Sequence, residues 1–280
     1  MGKYKAIKGS FHVKGFAPDG DSLRFQAFNA DNWNWAKFKW ETKALKNAKK
    51  KQLRIEAIDA LETHYEGARQ PHSFAIAALE HMLELLGIKN VQYNLLTTEI
   101  IAAEDGVPGW ILTGSVDAFG RPISLIFRDL PGFNDGDEVE SANVPVELSL
   151  NYLMALQGIV YPTFYASMEP EMREKFKVAF ATAKGRLQGL WAIDKTGGFR
   201  LWNIYTVQQD VIILPKLFRR FISFFKSRGD LAEFMDFMAD NKDPVMVNGV
   251  KRFFHEFVEV EGNHYRLTVS PEELIFLPEG

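Results

Sequence analysis

Between residues 22 and 28 the chain alternates: Leu23, Phe25 and Ala27 are apolar, Arg24 and Gln26 polar. That is the period of a strand with one buried face. Pro18-Asp19-Gly20-Asp21 is a turn signal, so residues 4–30 predict a strand, a turn and a returning strand from Ser22 to Phe28. Another strand is predicted over 52–58. The period then lengthens. Phe74, Ala78, Met82 and Leu85 recur at helical spacing after Pro71, and Gly87 marks an end, which predicts a helix burying those four side chains. Strands follow near 91–103, 110–117 and 122–128, the last two joined by a turn at Asp117-Ala118-Phe119-Gly120, then helices at about 147–157 and 169–188. Beyond Gly197-Gly198 the pattern predicts helices near 215–228 and 230–240 and short strands around 245–260 and 264–269, with a hairpin turn at Glu261-Gly262-Asn263.

A small antiparallel sheet with a helix inserted between its strands, followed by more helices, predicts a β-barrel plus α architecture. The expected form is a five-stranded Greek-key barrel of the OB type. It would occupy residues 1–192, with an insertion at about 29–51, and a smaller α+β extension would occupy 193–280. In the insertion Trp33, Trp35 and Trp40 mix with seven lysines, and Glu41 to Lys50 has a helical pattern. Those rings suit either base stacking beside lysines or packing against the extension.

Composition narrows the chemistry. The absence of cysteine excludes disulfides, thiolate nucleophiles and cysteine zinc sites. No run of 18 apolar residues suggests a membrane span. The start lacks the apolar stretch of a secretory signal, which suggests a cytoplasmic protein, or a secreted one whose leader has been removed. The net charge of −3 argues against a generally basic nucleic-acid binder. The charge is uneven, however: residues 1–60 hold thirteen Lys and Arg against six Asp and Glu, which would attract a polyanion, while residues 129–147 hold six acids and no base.

Four charged clusters remain: Asp19-Gly20-Asp21-Ser22; Leu53-Arg54; Asp59-Ala60-Leu61-Glu62-Thr63; and Asp117-Ala118-Phe119-Gly120-Arg121. Paired aspartates can hold a hard divalent cation, a glutamate can activate water, and two arginines can clamp a phosphate, which is the equipment for metal-assisted phosphodiester cleavage. In this order, and with Asn151-Tyr152-Leu153-Met154-Ala155-Leu156-Gln157-Gly158 and Leu190-Trp191 following, the clusters resemble the staphylococcal nuclease (thermonuclease) family, in fragments over roughly residues 5–191.

The resemblance implies a calcium-dependent nuclease acting on DNA and RNA, single strands included, and leaving 3′-phosphate ends. It implies that Asp21 and Asp59 ligate Ca²⁺ through carboxylates and Ala60 through its carbonyl. Glu62 would act on the attacking water. Arg54 and Arg121 would bind the scissile phosphate, a task suited to the planar guanidinium fork. Phe119, Phe164 and Tyr165 fall at or near the family's substrate-contacting tyrosines. The sequence departs from the family pattern at Leu61, where proline is usual, and at Ala118 and Phe119, where lysine and tyrosine are common.

Blander readings stand beside this one. Asp-Gly-Asp by itself is usually only a tight turn. His64, His72 and His81 are poorly spaced for one helix face, so structural or surface roles suit them better than a metal cluster. Leu217, Phe218, Phe221, Ile222, Phe224 and Phe225, with Arg219, Arg220, Lys226 and Arg228, form a basic amphipathic helix. Its apolar face has to be covered by the rest of the chain or by a second copy in a homodimer, in preference to a membrane surface, and the extension is expected to carry no catalytic group. The alternative function is an OB module that binds nucleic acid or protein without catalysis.

Overall fold

The computed structural model describes residues 2–94, 98–227 and 230–277. Arg228, and residues 95–97 within the strand predicted near 91–103, lie outside the described residues. The chain forms two compact units. The first comprises Met1–Glu56, Leu79–Met154 and Glu169–Lys175, the second Ala57–Ala78, Ala155–Met168 and Phe176–Gly280. Both are discontinuous, and residues 192 and 193, where the sequence placed a boundary, both fall inside the second.

In the first unit, strands Lys3–His12, Ser22–Ala27, Lys51–Ile55, Pro122–Phe127 and Val107–Val116 neighbour one another in that order, and Val107–Val116 pairs back onto Lys3–His12. The result is a closed five-stranded β-barrel. Every pairing in it is antiparallel except that of Lys51–Ile55 with Pro122–Phe127. Glu138–Glu140 adds an outer strand against residues 3–5. The alternation read from the sequence is that of the barrel wall: Leu23, Phe25, Leu53, Ile55, Ile7, Phe11 and Ile111 are buried, and Phe11 and Phe25 lie 5.2 Å apart. Gly9 and Gly109 face each other in register. A Cβ on Gly9 would come within 2.4 Å of the Phe25 ring, and one on Gly109 within 2.4 Å of the Phe11 ring, so only glycine leaves room for both phenylalanines.

The insertion packs on itself. Trp33 lies 5.9 Å from both Phe38 and Trp40, and the buried Lys51 ammonium sits 4.4 Å from the Trp40 ring while donating to the carbonyls of Leu45, Lys46 and Ala48. Burial lowers the Lys51 pKa to about 8. The predicted helix of the insertion is the short Lys43–Asn47.

The helix predicted after Pro71 spans His72–Leu86, and Gly87 ends it at φ +74°. Its buried stripe is Ala75, Ala78, Leu79, Met82, Leu83 and Leu86. Phe74 is exposed and Leu85 half-buried, so the expected face was turned by about one residue. The strand expected over 52–58 is two strands, Lys51–Ile55 and Ala57–Asp59, broken where Ala57 adopts φ +73°, a conformation unfavourable for an L residue.

In the second unit, Ala57–Asp59 is the edge of a five-stranded sheet whose next strands are Tyr161–Tyr165, Ile275–Phe276, Pro244–Val247 and Val250–Phe253. A separate sheet holds the hairpin Val258–Glu261/His264–Leu267, turned at Gly262 as predicted, with Phe199–Arg200 beside it. The basic amphipathic helix is Pro215–Ser227. Its apolar face is covered within this unit: Phe221 stacks on Phe234 at 4.3 Å and meets Tyr265 at 5.4 Å. Among the described residues no helix is long and apolar enough to cross a membrane.

Candidate functional site

Three of the sequence clusters lie on neighbouring barrel strands or just before them. Ser22 pairs with Arg54, and Arg54 pairs with Ile123 on its other side. Asp21 therefore precedes, and Arg121 lies two residues before, positions adjacent on neighbouring strands. The Asp21 carbonyl accepts from the Ile55 N–H at 3.2 Å, fixing the turn against the third strand.

Arg121 is shaped by its own turn. One Asp117 carboxylate oxygen accepts from the backbone N–H groups of Phe119 (3.0 Å) and Arg121 (2.9 Å), and the other accepts from Arg121 Nε at 2.8 Å. This holds the guanidinium by its Nε side. Gly120 supplies the turn's positive φ of +76°. Phe119 is 75% exposed, and the Arg121 guanidinium lies 5.4 Å from its ring centre. The Phe119–Arg121 pair thus offers an aromatic face beside a cation.

The acids Asp59 and Glu62 belong to the second unit. Asp59 ends the edge strand, opposite Tyr161, and the buried Ala60 follows it. Glu62 opens a loop closed by a reciprocal pair of bonds. The Glu62 N–H donates to the Gln70 side-chain oxygen at 3.2 Å, and the Gln70 N–H donates to the Glu62 carbonyl at 3.0 Å. Gln70 is fully buried and also donates to the Ile213 carbonyl at 2.8 Å. Leu61 is buried as well.

Both acids converge on one base. From the helix Pro215–Ser227, Arg219 donates to Asp59 Oδ1 at 3.1 Å through Nη1 and to Oδ2 at 2.9 Å through Nη2, while Nη1 also reaches Glu62 Oε1 at 2.5 Å. Asp59 and Glu62 are buried and Arg219 half-buried. Burial works against the Arg219 charge, but the two carboxylates outweigh it and hold the guanidinium protonated well above the ordinary arginine value. The extension, expected to carry no catalytic group, supplies the ion-pair partner of these acids.

Three residues that position the candidate site had no assigned role in the sequence: Arg219, Gln70 and Asp117. Asp117 was legible, since it stands four residues before Arg121 in a turn-forming segment. Arg219 was visible only as one of several bases on the polar face of an amphipathic helix. One substrate candidate changes standing. Phe164 is a core residue, fully buried and edge-on to Phe180 at 6.3 Å, so its ring is consumed by packing. Tyr165 is half-buried, 5.8 Å from Phe276.

The calcium ligands that the resemblance implies, Asp21, Asp59 and the Ala60 carbonyl, are hard oxygen donors, the kind calcium takes. Among the described residues no group of three or more His, Cys, Asp or Glu is arranged to hold a metal ion. Arg219 brings a positive charge to both Asp59 and Glu62. No protein-family model matches the chain, and no curated protein matches it.

Proposed function

We propose that this chain is a metal-dependent nuclease built on an OB-type barrel, hydrolysing phosphodiester bonds of DNA and RNA. The observation that carries the reading is the Ser22–Arg54–Ile123 register, which sets Asp21, Arg54 and the strand after Arg121 side by side although their segments are far apart in sequence. The strand order, with one parallel pairing between the third and last barrel strands, supports the OB assignment.

In this reading Arg54 and Arg121 bind the phosphate. Arg121, gripped through Nε by Asp117, presents its remaining edge to phosphate oxygens. Phe119 offers a ring for a neighbouring base. Glu62, oriented by the Gln70 latch, orients water and takes its proton. Asp21, Asp59 and the Ala60 carbonyl are the residues that would hold calcium, which when bound supplies charge for the developing oxyanion.

A second reading, a barrel that binds nucleic acid without cutting it, is favoured by one observation: Arg219 engages both Asp59 and Glu62. Incubating single-stranded DNA and RNA with the full chain, in calcium and in chelator, tests the two. The nuclease reading expects calcium-dependent cleavage that is lost in Arg54→Ala and Arg121→Ala. Cleavage that persists in chelator, or in the double arginine variant, overturns it. Binding without cleavage in calcium supports the second reading.

A further inference from the structure

Three polar side chains beside the first barrel strand form a chain of hydrogen bonds that the nuclease reading does not use. Ser10 and His12 are two residues apart on Lys3–His12 and so share one face of the strand. Ser10 Oγ lies 2.9 Å from His12 Nε2, and His12 Nδ1 lies 2.8 Å from Asp105 Oδ2. Asp105 belongs to the segment that leads into the strand Val107–Val116, and the Gly106 N–H pins that segment by donating to the Phe11 carbonyl at 3.0 Å. The second Asp105 oxygen, Oδ1, accepts from the backbone N–H groups of Val13 at 2.6 Å and Lys14 at 3.2 Å, which fixes the carboxylate. Burial works against its charge, but these bonds and the one from His12 hold Asp105 below the usual carboxylate range. An ionised carboxylate only accepts, so the imidazole proton sits on Nδ1 and Nε2 is left to accept from the Ser10 hydroxyl. Ser10 is 9% exposed and His12 half-buried, so the pair is shielded from bulk water without being enclosed.

We propose that Ser10, His12 and Asp105 form a second reactive site acting on small carboxylic esters, with Ser10 as nucleophile, His12 as its general base and Asp105 orienting the base. The order of the bonds carries the proposal: a hydroxyl on one ring nitrogen and a carboxylate on the other let an imidazole draw a proton from serine. Ser10 Oγ bonds to the carbonyl carbon as its proton passes to Nε2. The oxyanion collapses, the bond to the alkoxy oxygen breaks, and that oxygen leaves as an alcohol carrying the proton from Nε2. Water then attacks the acyl carbon and gives its proton to Nε2, and the departing Ser10 Oγ recovers it. The net reaction is ester and water to carboxylic acid and alcohol. Lys8 precedes Ser10 by two residues, Gln26 stands opposite Ser10 and Arg24 opposite His12, all on this side of the sheet, where they favour the developing oxyanion. The shielding of Ser10 limits the acyl group to a small one. None of the three residues belongs to the charged clusters of the nuclease reading, and the two stand or fall separately.

The test is labelling of the full chain with a fluorophosphonate, which bonds phosphorus to the serine oxygen and releases fluoride, with the adduct located by peptide mass spectrometry. Hydrolysis of p-nitrophenyl acetate is followed alongside in the wild type, Ser10→Ala, His12→Gln and Asp105→Asn, each with its melting temperature. The wild type is expected to carry the adduct on Ser10 and to turn over the ester. Ser10→Ala should lose both, and His12→Gln should slow both by about a hundredfold or more. Asp105→Asn keeps an oxygen for the Val13 and Lys14 N–H groups but presents an N–H to His12, which imposes the wrong tautomer. Its kcat should fall by about a hundredfold or more with KM little changed, a split that a purely structural tie would not produce. Absence of a Ser10 adduct in the wild type, or equal ester hydrolysis by the wild type and Ser10→Ala, overturns the proposal. Labelling as fast in folded His12→Gln or Asp105→Asn as in the wild type overturns it too, because Ser10 would then be accessible but not activated.

Discussion

One helix, Pro215–Ser227, carries two ion clusters of opposite composition. At Arg219 a single base meets two acids. At Asp243 a single acid meets two bases, with Lys216 Nζ at 2.7 Å and Arg220 Nε at 2.5 Å. All six side chains are buried or half-buried, so neither cluster is a loose surface pair. At Asp243, burial works against the carboxylate charge, yet Arg220 and Lys216 prevail and hold its pKa below the usual range. Lys216 bears the cost: burial first, and then the neighbouring Arg220, pull its own pKa down. At Arg219 the two carboxylates instead hold a guanidinium charged against its burial. The two clusters invert the ratio of acid to base on one helix, and in each the groups in excess keep the single opposite charge in place.

The comparison is broken most decisively by catalysis. Glu62→Gln is expected to lower the rate of single-stranded DNA cleavage by about two to three orders of magnitude, in line with loss of a positioned catalytic group. Asp243→Asn, in protein that remains folded, should leave the turnover within about tenfold of wild type. Equal losses in the two variants would erase the distinction.

Stability gives the next largest effect. Removing one partner of a buried ion cluster strands the others, typically at about 3–5 kcal/mol. Urea unfolding of Asp243→Asn should show a loss of that order, unaffected by calcium. Arg219→Gln should show a comparable loss, because it strands Asp59 and Glu62. The Asp243 contribution has a sign in pH: because its folded pKa is depressed, the stabilisation is present above the unfolded carboxylate range and is lost as pH falls through the folded value.

A third buried acid sharpens the contrast, since Glu56 has no ion-pair partner within salt-bridge distance among the described residues. Its nearest polar side chain is the Tyr4 hydroxyl at 3.5 Å, and burial, opposed only partly by Arg54, raises its pKa from 4.5 to about 7. Between those values the folded chain holds a proton the unfolded chain has released, so stability falls as pH rises through that window. Glu56→Gln should therefore stabilise the protein by up to about 3 kcal/mol at pH 8 and change little near pH 4, measured by denaturant unfolding at both. The smallest expected effect is at the exposed Phe119. Phe119→Ala should weaken single-stranded oligonucleotide binding by about tenfold in a fluorescence titration and leave the melting temperature unchanged.

Much of the barrel was legible because its signals are local. The alternation through Leu23 and Phe25, the Asp19-Gly20-Asp21 turn and the Glu261-Gly262-Asn263 hairpin depend on neighbouring residues, and each element formed where its pattern lay. Asn151, quoted only as part of a motif, proved to be a tie. Its side chain accepts from the Ile126 N–H and donates to the Glu56 and Ser124 carbonyls, which a short motif cannot announce. The helix face at Phe74 was off by one residue because periodicity defines the width of an apolar stripe more sharply than its centre.

What the amino-acid order determined by itself was the inventory: oxygen-donor acids and arginines in and beside turn-forming segments, on a chain with no cysteine. The tertiary structure decided their company. Lys216, Arg219 and Arg220 are equivalent in composition and lie within two turns of one helix. Which of them meets Asp59 and Glu62, and which meets Asp243, depends on how the helix is rotated when Phe218, Phe221 and Phe224 are buried. Burial of that aromatic face sets the rotation, and the charged side chains pair with whatever partners the rotation presents.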